Sequence, residues 1–250
     1  MSAQPRALDV SSPSLPRIER IELRQVGRSF GATVAVRQVR ATLHAGEITV
    51  LEGHNGSGKT TLLRMIGTLV SPSSGVVAYA PPPVDRAALR QAIGWLSHDA
   101  LAYPDLSARQ NVHLAARLYG CEPGAAWARA LERFGLETFA DRPLRFLSRG
   151  QRQRVALARS LAHEPSVVLL DEPTTGLDPE GVARLRDVVR EERAAGHLVV
   201  VVTHEPDWIR PLGPRWLRLD RGRLVDDRPA VAPEVSRETS GDPVAPAESK

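Results

Sequence analysis

Residues 53–61 read Gly53-His54-Asn55-Gly56-Ser57-Gly58-Lys59-Thr60-Thr61. The three glycines let backbone N–H groups approach phosphate oxygens with no Cβ in the way. Apolar residues 48–51 lead into this run and Thr61-Leu62-Leu63 leads out, a pattern that predicts a strand feeding a glycine-rich loop that opens a helix. The helix N-terminus behind the loop favours negative charge. Lys59 would then reach the β- and γ-phosphates of a nucleotide, and the Thr60 hydroxyl would ligate Mg2+. A plain glycine turn before a surface lysine is the bland alternative, and it does not account for the full spacing. Lys59 and Lys250 are the only lysines in a chain that otherwise uses arginine. A compact ammonium has been kept at the loop.

A second constellation follows at Val167-Val168-Leu169-Leu170-Asp171-Glu172. A continuous apolar run reads as a strand buried on both faces. Ligands of open α/β sheets sit beyond the carboxyl ends of such strands. Asp171 is therefore placed to hold Mg2+, mostly through water, and Glu172 to polarise an attacking water as general base. An acidic turn after a core strand is the competing reading.

The elements that position these groups follow from periodicity. Residues 18–23 alternate like a half-buried strand, 34–43 look like its partner, and 76–79 form another short strand. Helical spacing appears over 106–118, 125–134 and 148–162. Strand character returns at 167–170 and 198–202, with a charged amphipathic helix over 180–195 between them. Parallel strands alternating with helices imply an α/β core. A helical region, drawn at about 85–162, is inserted in that core. Residues 1–16 are expected to be a disordered lead. Residues 226–250 are expected to be a disordered tail, rich in proline and with six acidic against three basic residues.

Composition narrows the function classes. The chain has 250 residues, 42% of them hydrophobic, enough for one large core. Its net charge of +4 rests on arginines scattered along the chain rather than gathered into a run, which argues against a dedicated nucleic-acid arm. Cys121 stands alone, so no disulfide framework is available and a reducing compartment is the simplest setting. No apolar run approaches the ~20 residues that span a bilayer. If the protein works at a membrane, another polypeptide is expected to supply the spans.

Leu147-Ser148-Arg149-Gly150-Gln151 resembles the L-S-G-G-Q signature of ABC-type ATPases, with Arg149 at the third place. The order of motifs is similar too. The phosphate loop precedes the helical insertion and signature, then Asp171-Glu172, then Pro173-Thr174-Thr175-Gly176-Leu177-Asp178, then His204 after a strand. The resemblance covers about residues 18–225. It implies a P-loop NTPase core with a mainly parallel sheet, an antiparallel β-subdomain and an inserted α-helical subdomain. It implies ATP and Mg2+ as ligands, and ATP hydrolysis coupled to transport.

Several residue roles are carried by the resemblance alone. Ser148, Gly150 and Gln151 would cap ATP held by the phosphate loop of a second subunit, a homodimer being expected. His204 would be the switch histidine at the γ-phosphate, and Phe30 would stack on adenine. Asp178 would lie between subunits, although it could also simply cap the helix beginning at Pro179. His98 stands where the family usually has a glutamine that touches Mg2+ and the attacking water. His98 and the Ser148-Arg149-Gly150 form of the signature look like the ATPase subunit of the cytochrome c maturation haem exporter. The implied partner is a membrane-spanning permease, with this chain peripheral at the cytoplasmic face of the inner membrane and no nucleic acid involved.

Overall fold

The computed structural model describes residues 17–97 and 102–231. Six strands form the central sheet in the order β5 (Ile93–Leu96), β6 (Val167–Asp171), β7 (Leu198–Val202), β3 (Ile48–Glu52), β8 (Arg215–Asp220) and β9 (Arg223–Arg228). The first five run parallel, and β9 closes the edge as an antiparallel hairpin with β8. A separate antiparallel sheet holds β1 (Arg20–Phe30) between β2 (Thr33–His44) and β4 (Ser74–Ala80).

Every residue of β6 and β7 is buried, and the two faces of these strands feed different cores. Val168, Leu170, Val199 and Val201 point into one core with the helices. Val167, Leu169, Leu198, Val200 and Val202 point into the other, against the three-stranded sheet. The period of two that separates these sets also fixes the register. Parallel pairing of Asp171 with Val202 and of Leu51 with Val202 then brings the carboxyl ends of β3, β6 and β7 to one line.

Helix α1 (Lys59–Ile66) packs Leu62, Leu63, Met65 and Ile66 into the core shared with the three-stranded sheet. On the other face, α3 (Ala108–Leu118), α4 (Pro123–Phe134) and α5 (Arg149–Ser160) share one core with α6 (Pro179–Ala194), through Val112, Trp127, Phe134, Val155 and Val188. A short α2 (Arg86–Gln91) precedes β5. No helix among the described residues is long and apolar enough to cross a membrane.

The structure differs from the sequence reading at two boundaries. The sequence reading begins the helical region at residue 85, yet β5 pairs with β6 in the central sheet and Leu89 of α2 packs in the core of the three-stranded sheet. The inserted helices α3 to α5 begin after β5. The sequence reading begins the tail at residue 226, yet β9 continues to Arg228 because Asp226 and Asp227 pair with Arg218 and Leu217 of β8. The expected lead, 1–16, lies outside the described residues, as does the tail from 232.

One buried histidine ties the helices to the sheet. His163, 2% exposed, places Nε2 3.2 Å from the Ile93 carbonyl and stacks on Tyr119 with ring centres 3.7 Å apart. Burial pushes its pKa from 6.5 down to about 4, against the pull of the Ile93 carbonyl. An unfolded chain therefore takes up this proton near 6.5 while the folded chain resists until about 4, so stability falls as pH drops through that window. The expected loss is at most about 3 kcal/mol. Denaturant midpoints across this range should fall less steeply in His163→Phe, which keeps a ring on Tyr119 but cannot titrate. An unchanged pH slope in that variant would remove His163 as the source.

Candidate active site

Strand β3 ends at Glu52, and the loop that follows is shaped by close backbone approach. Gly53 has φ +143°, and a Cβ there would lie 2.2 Å from the Leu219 carbonyl oxygen of β8. Gly58, with φ +104°, caps α1, and a Cβ there would lie 2.4 Å from the Ala35 carbonyl oxygen of β2. Neighbouring strands thus press the loop into a shape that only glycine tolerates at these two places.

Lys59 is the first residue of α1 and is 6% exposed. Its Nζ donates to the Gly53 and His54 carbonyl oxygens at 2.7 and 3.0 Å. Burial lowers its pKa, while the Glu172 and Asp171 carboxylates raise it. Gly53 and His54 therefore form the back of the loop, and Asn55 to Thr61 form its open side. The Ser57 hydroxyl is buried there with no hydrogen-bond partner among the described residues, a polar atom left for a ligand to satisfy.

Two carboxylates arrive from β6. Asp171, 2% exposed, accepts at Oδ1 a hydrogen bond of 3.3 Å from the Thr60 hydroxyl. Two hard oxygens side by side suit Mg2+, which takes few protein ligands and fills its octahedron with water and substrate phosphate oxygens. Glu172 has φ +50°, a strained value for a residue with a side chain. Its own N–H donates to the Val202 carbonyl at 2.9 Å, and its Oε2 accepts from the His204 N–H at 3.2 Å. The His204 ring completes the group, with Nε2 3.2 Å from Glu172 Oε1. Burial pushes the Glu172 carboxyl up and outweighs the pull of His204 and Lys59. A carboxylate held in this way is a better proton acceptor than one in water.

These groups line one cavity of about 680 Å³, with Phe30 at its rim. Phe30 is 48% exposed rather than a core residue. The Arg28 guanidinium lies 4.5 Å from its ring centre. The cavity can take the base, sugar and phosphates of one nucleotide along its length.

Ser148, Gly150 and Gln151 lie elsewhere, and none of them lines the cavity. Ser148 caps α5, accepting from the Gln151 N–H at 3.2 Å while Gln151 Oε1 accepts from the Ser148 N–H at 3.0 Å. Both stay near the surface. The missing Cβ of Gly150 leaves room for the Gly176 carbonyl, which that atom would meet at 2.5 Å. Asp178 caps α6 through the Gly181 N–H at 2.8 Å and also accepts from Arg154 at 3.1 Å. Buried Gln153 donates to the Pro173 carbonyl at 3.0 Å. Helix α5 therefore clasps the segment that follows Glu172. Sequence reasoning missed Gln153, Arg154 and Arg28; a Gln and an Arg in the turns after Gln151 carried no signal that separated them from an ordinary helix surface. His98 lies outside the described residues.

The family model for ABC transporters matches residues 36–175. The glutamine transport ATP-binding protein GlnQ of Geobacillus stearothermophilus is 35% identical over 218 residues, spanning 84% of this chain and 90% of the relative. The cytochrome c biogenesis ATP-binding export protein CcmA 2 of Cupriavidus metallidurans is 39% identical over 189 residues, spanning 74% of this chain and 89% of the relative. A solved dimeric ATP-binding cassette, holding ADP and Pi in a post-hydrolysis state, superposes with a TM-score of 0.74 at 30% identity over 83% of this chain and 97% of that one. With the family model matching more than half of its residues, this chain belongs to the ABC transporter ATP-binding proteins, binds ATP with Mg2+, and couples ATP hydrolysis to transport.

Proposed function

We propose that this chain works as one of a pair, with each ATP held between the phosphate loop of one copy and the α5 terminus of the other. The observation that carries the reading is a single cavity shared by Lys59, Thr60, Asp171, Glu172 and His204, while exposed Ser148 and half-buried Gly150 and Gln151 do not line it. A second copy would bring a helix N-terminus to the open side of the cavity, where a γ-phosphate carries its charge.

In this reading Gly53 and His54 hold Lys59 in place, and Asn55 to Thr61 bind phosphate oxygens. Phe30 stacks on the base, and Thr60 with Asp171 holds Mg2+. When bound, Mg2+ neutralises charge on the β- and γ-phosphates. Glu172 takes a proton from water as the water oxygen bonds to the γ-phosphorus and the bond from that phosphorus to ADP's oxygen breaks. His204 keeps Glu172 oriented and faces the γ-phosphate. Asp178 carries the inter-subunit loop, and His98 takes the part of the glutamine that the family usually has at its place in the sequence. Closure of the pair then becomes a push on membrane-spanning permease subunits docked on the helical region, at the cytoplasmic face of the inner membrane.

The proposed cargo is haem, in cytochrome c biogenesis. Support comes from the Ser148-Arg149-Gly150 signature and from likeness to the CcmA 2 protein. Amino-acid transport is the second reading, favoured by the longer match to the GlnQ protein. Purification of the tagged chain from detergent-solubilised native membranes decides between them. Haem-handling membrane proteins and a haem absorption band in the eluate are expected. An amino-acid permease in a haem-free eluate would move the cargo to the second reading. Absence from the membrane fraction would overturn both.

Glu172→Gln should retain ATP binding, lower turnover by at least about 100-fold, and accumulate as an ATP-bound dimer in size-exclusion chromatography. Hydrolysis near the wild-type rate would remove Glu172 from the role of base.

A further inference from the structure

Three hollows outside the nucleotide cavity are lined by arginine, and they differ in how that charge is balanced. In the largest, about 550 Å³, Arg24 pairs with Glu22 and Arg215 with Asp227. In another, about 450 Å³, Arg133 pairs with Glu191 and Arg184 with Glu180. The third, about 270 Å³, lies on the three-stranded sheet and is lined by Arg28, Arg37 and Arg223 with no carboxylate. None of these three arginines forms an ion pair among the described residues.

The polar groups of this hollow are also unspent. Arg28 Nε is buried without a hydrogen-bond partner, although Nη1 donates to the Ser71 carbonyl at 3.0 Å. The Ser73 hydroxyl accepts from the Ser29 N–H at 3.2 Å, which leaves its own proton to donate. The missing side chain of Gly27 makes room for the Ser74 hydroxyl, which a Cβ there would meet at 2.5 Å. Three like charges around one concavity repel unless an anion joins them. Guanidinium forks with adjacent hydroxyls match the oxygens of a phosphate group in geometry and charge.

We propose that the hollow formed by Arg28, Arg37, Arg223, Ser73 and Ser74 binds a phosphate-class anion, either a free phosphate compound or a phospholipid headgroup. The site is distinct from the phosphate loop, and the proposal does not depend on the cargo or on the role of Glu172. It adjoins the nucleotide, because Arg28 also braces Phe30 from 4.5 Å. An anion held by Arg28 therefore touches the group that positions the base.

The test uses the full chain saturated with a non-hydrolysable ATP analogue and Mg2+, so that the phosphate loop is filled. Inorganic pyrophosphate is titrated calorimetrically, and vesicles of phosphatidylcholine with phosphatidylglycerol are assayed by co-sedimentation. The double variant Arg37→Ser/Arg223→Ser removes two exposed forks and spares Arg28. The double variant Arg90→Ser/Arg117→Ser removes the same charge from exposed positions elsewhere. Pyrophosphate binding at one site per chain, weakened roughly tenfold in the first variant alone, identifies a free anion. Vesicle binding lost in the first variant alone, without pyrophosphate binding, identifies a lipid headgroup. No binding of either probe, or equal effects of the two double variants, overturns the proposal.

Discussion

A buried ammonium is the constraint on which the site depends. Lys59 is 6% exposed, and an unpaired cation so placed would be costly. Its cost is offset by two loop carbonyls at its back and by Asp171 and Glu172 in front. The carbonyls can reach it only because Gly53 and Gly58 allow β8 and β2 to press on the loop. The carboxylates can reach it only because β6 pairs between β5 and β7 and ends level with β3. Sheet register, loop shape and lysine charge are thus one arrangement seen at three scales.

The same strand ends explain why Glu172 is strained. Its N–H is committed to Val202 and its carboxylate to the His204 backbone. Both partners belong to β7 or to the residues just after it, so the chain must turn sharply at φ +50° to serve both. Strain of this kind persists only where surrounding packing over-determines it, and the wholly buried β6 and β7 provide that packing. Helix α5 adds a clamp from the other side, through Gln153 on Pro173 and Arg154 on Asp178. A change of position at the Ser148 end of α5 would therefore be felt by the segment that begins at Glu172.

Much of this was legible in the sequence, for physical reasons that differ from element to element. The loop could be read because glycine, lysine and threonine at that spacing serve few other purposes. Strands β6 and β7 could be read because burial on both faces leaves an unbroken apolar run. Strands β8 and β9 could not, because they carry Arg215, Arg218, Asp226 and Asp227 among their apolar residues, and segments that mix charge with apolar residues read as loops do. Short β5 falls within the helical region of the sequence reading for a related reason: its membership of the core sheet depends on pairing with Val167 to Leu170, more than seventy residues away. Arg28 was illegible because its meaning lies in a tertiary contact, the face of Phe30.

The near-absence of lysine gives the folded chain an unusual chemical surface. Lys59 is buried under its own loop, and Lys250 is the only other lysine in the sequence. Acylating reagents and lysine-directed proteases thus meet a protein whose one interior target is the ligand-facing ammonium. The rate of acylation at that single nitrogen becomes a direct gauge of how often the loop opens.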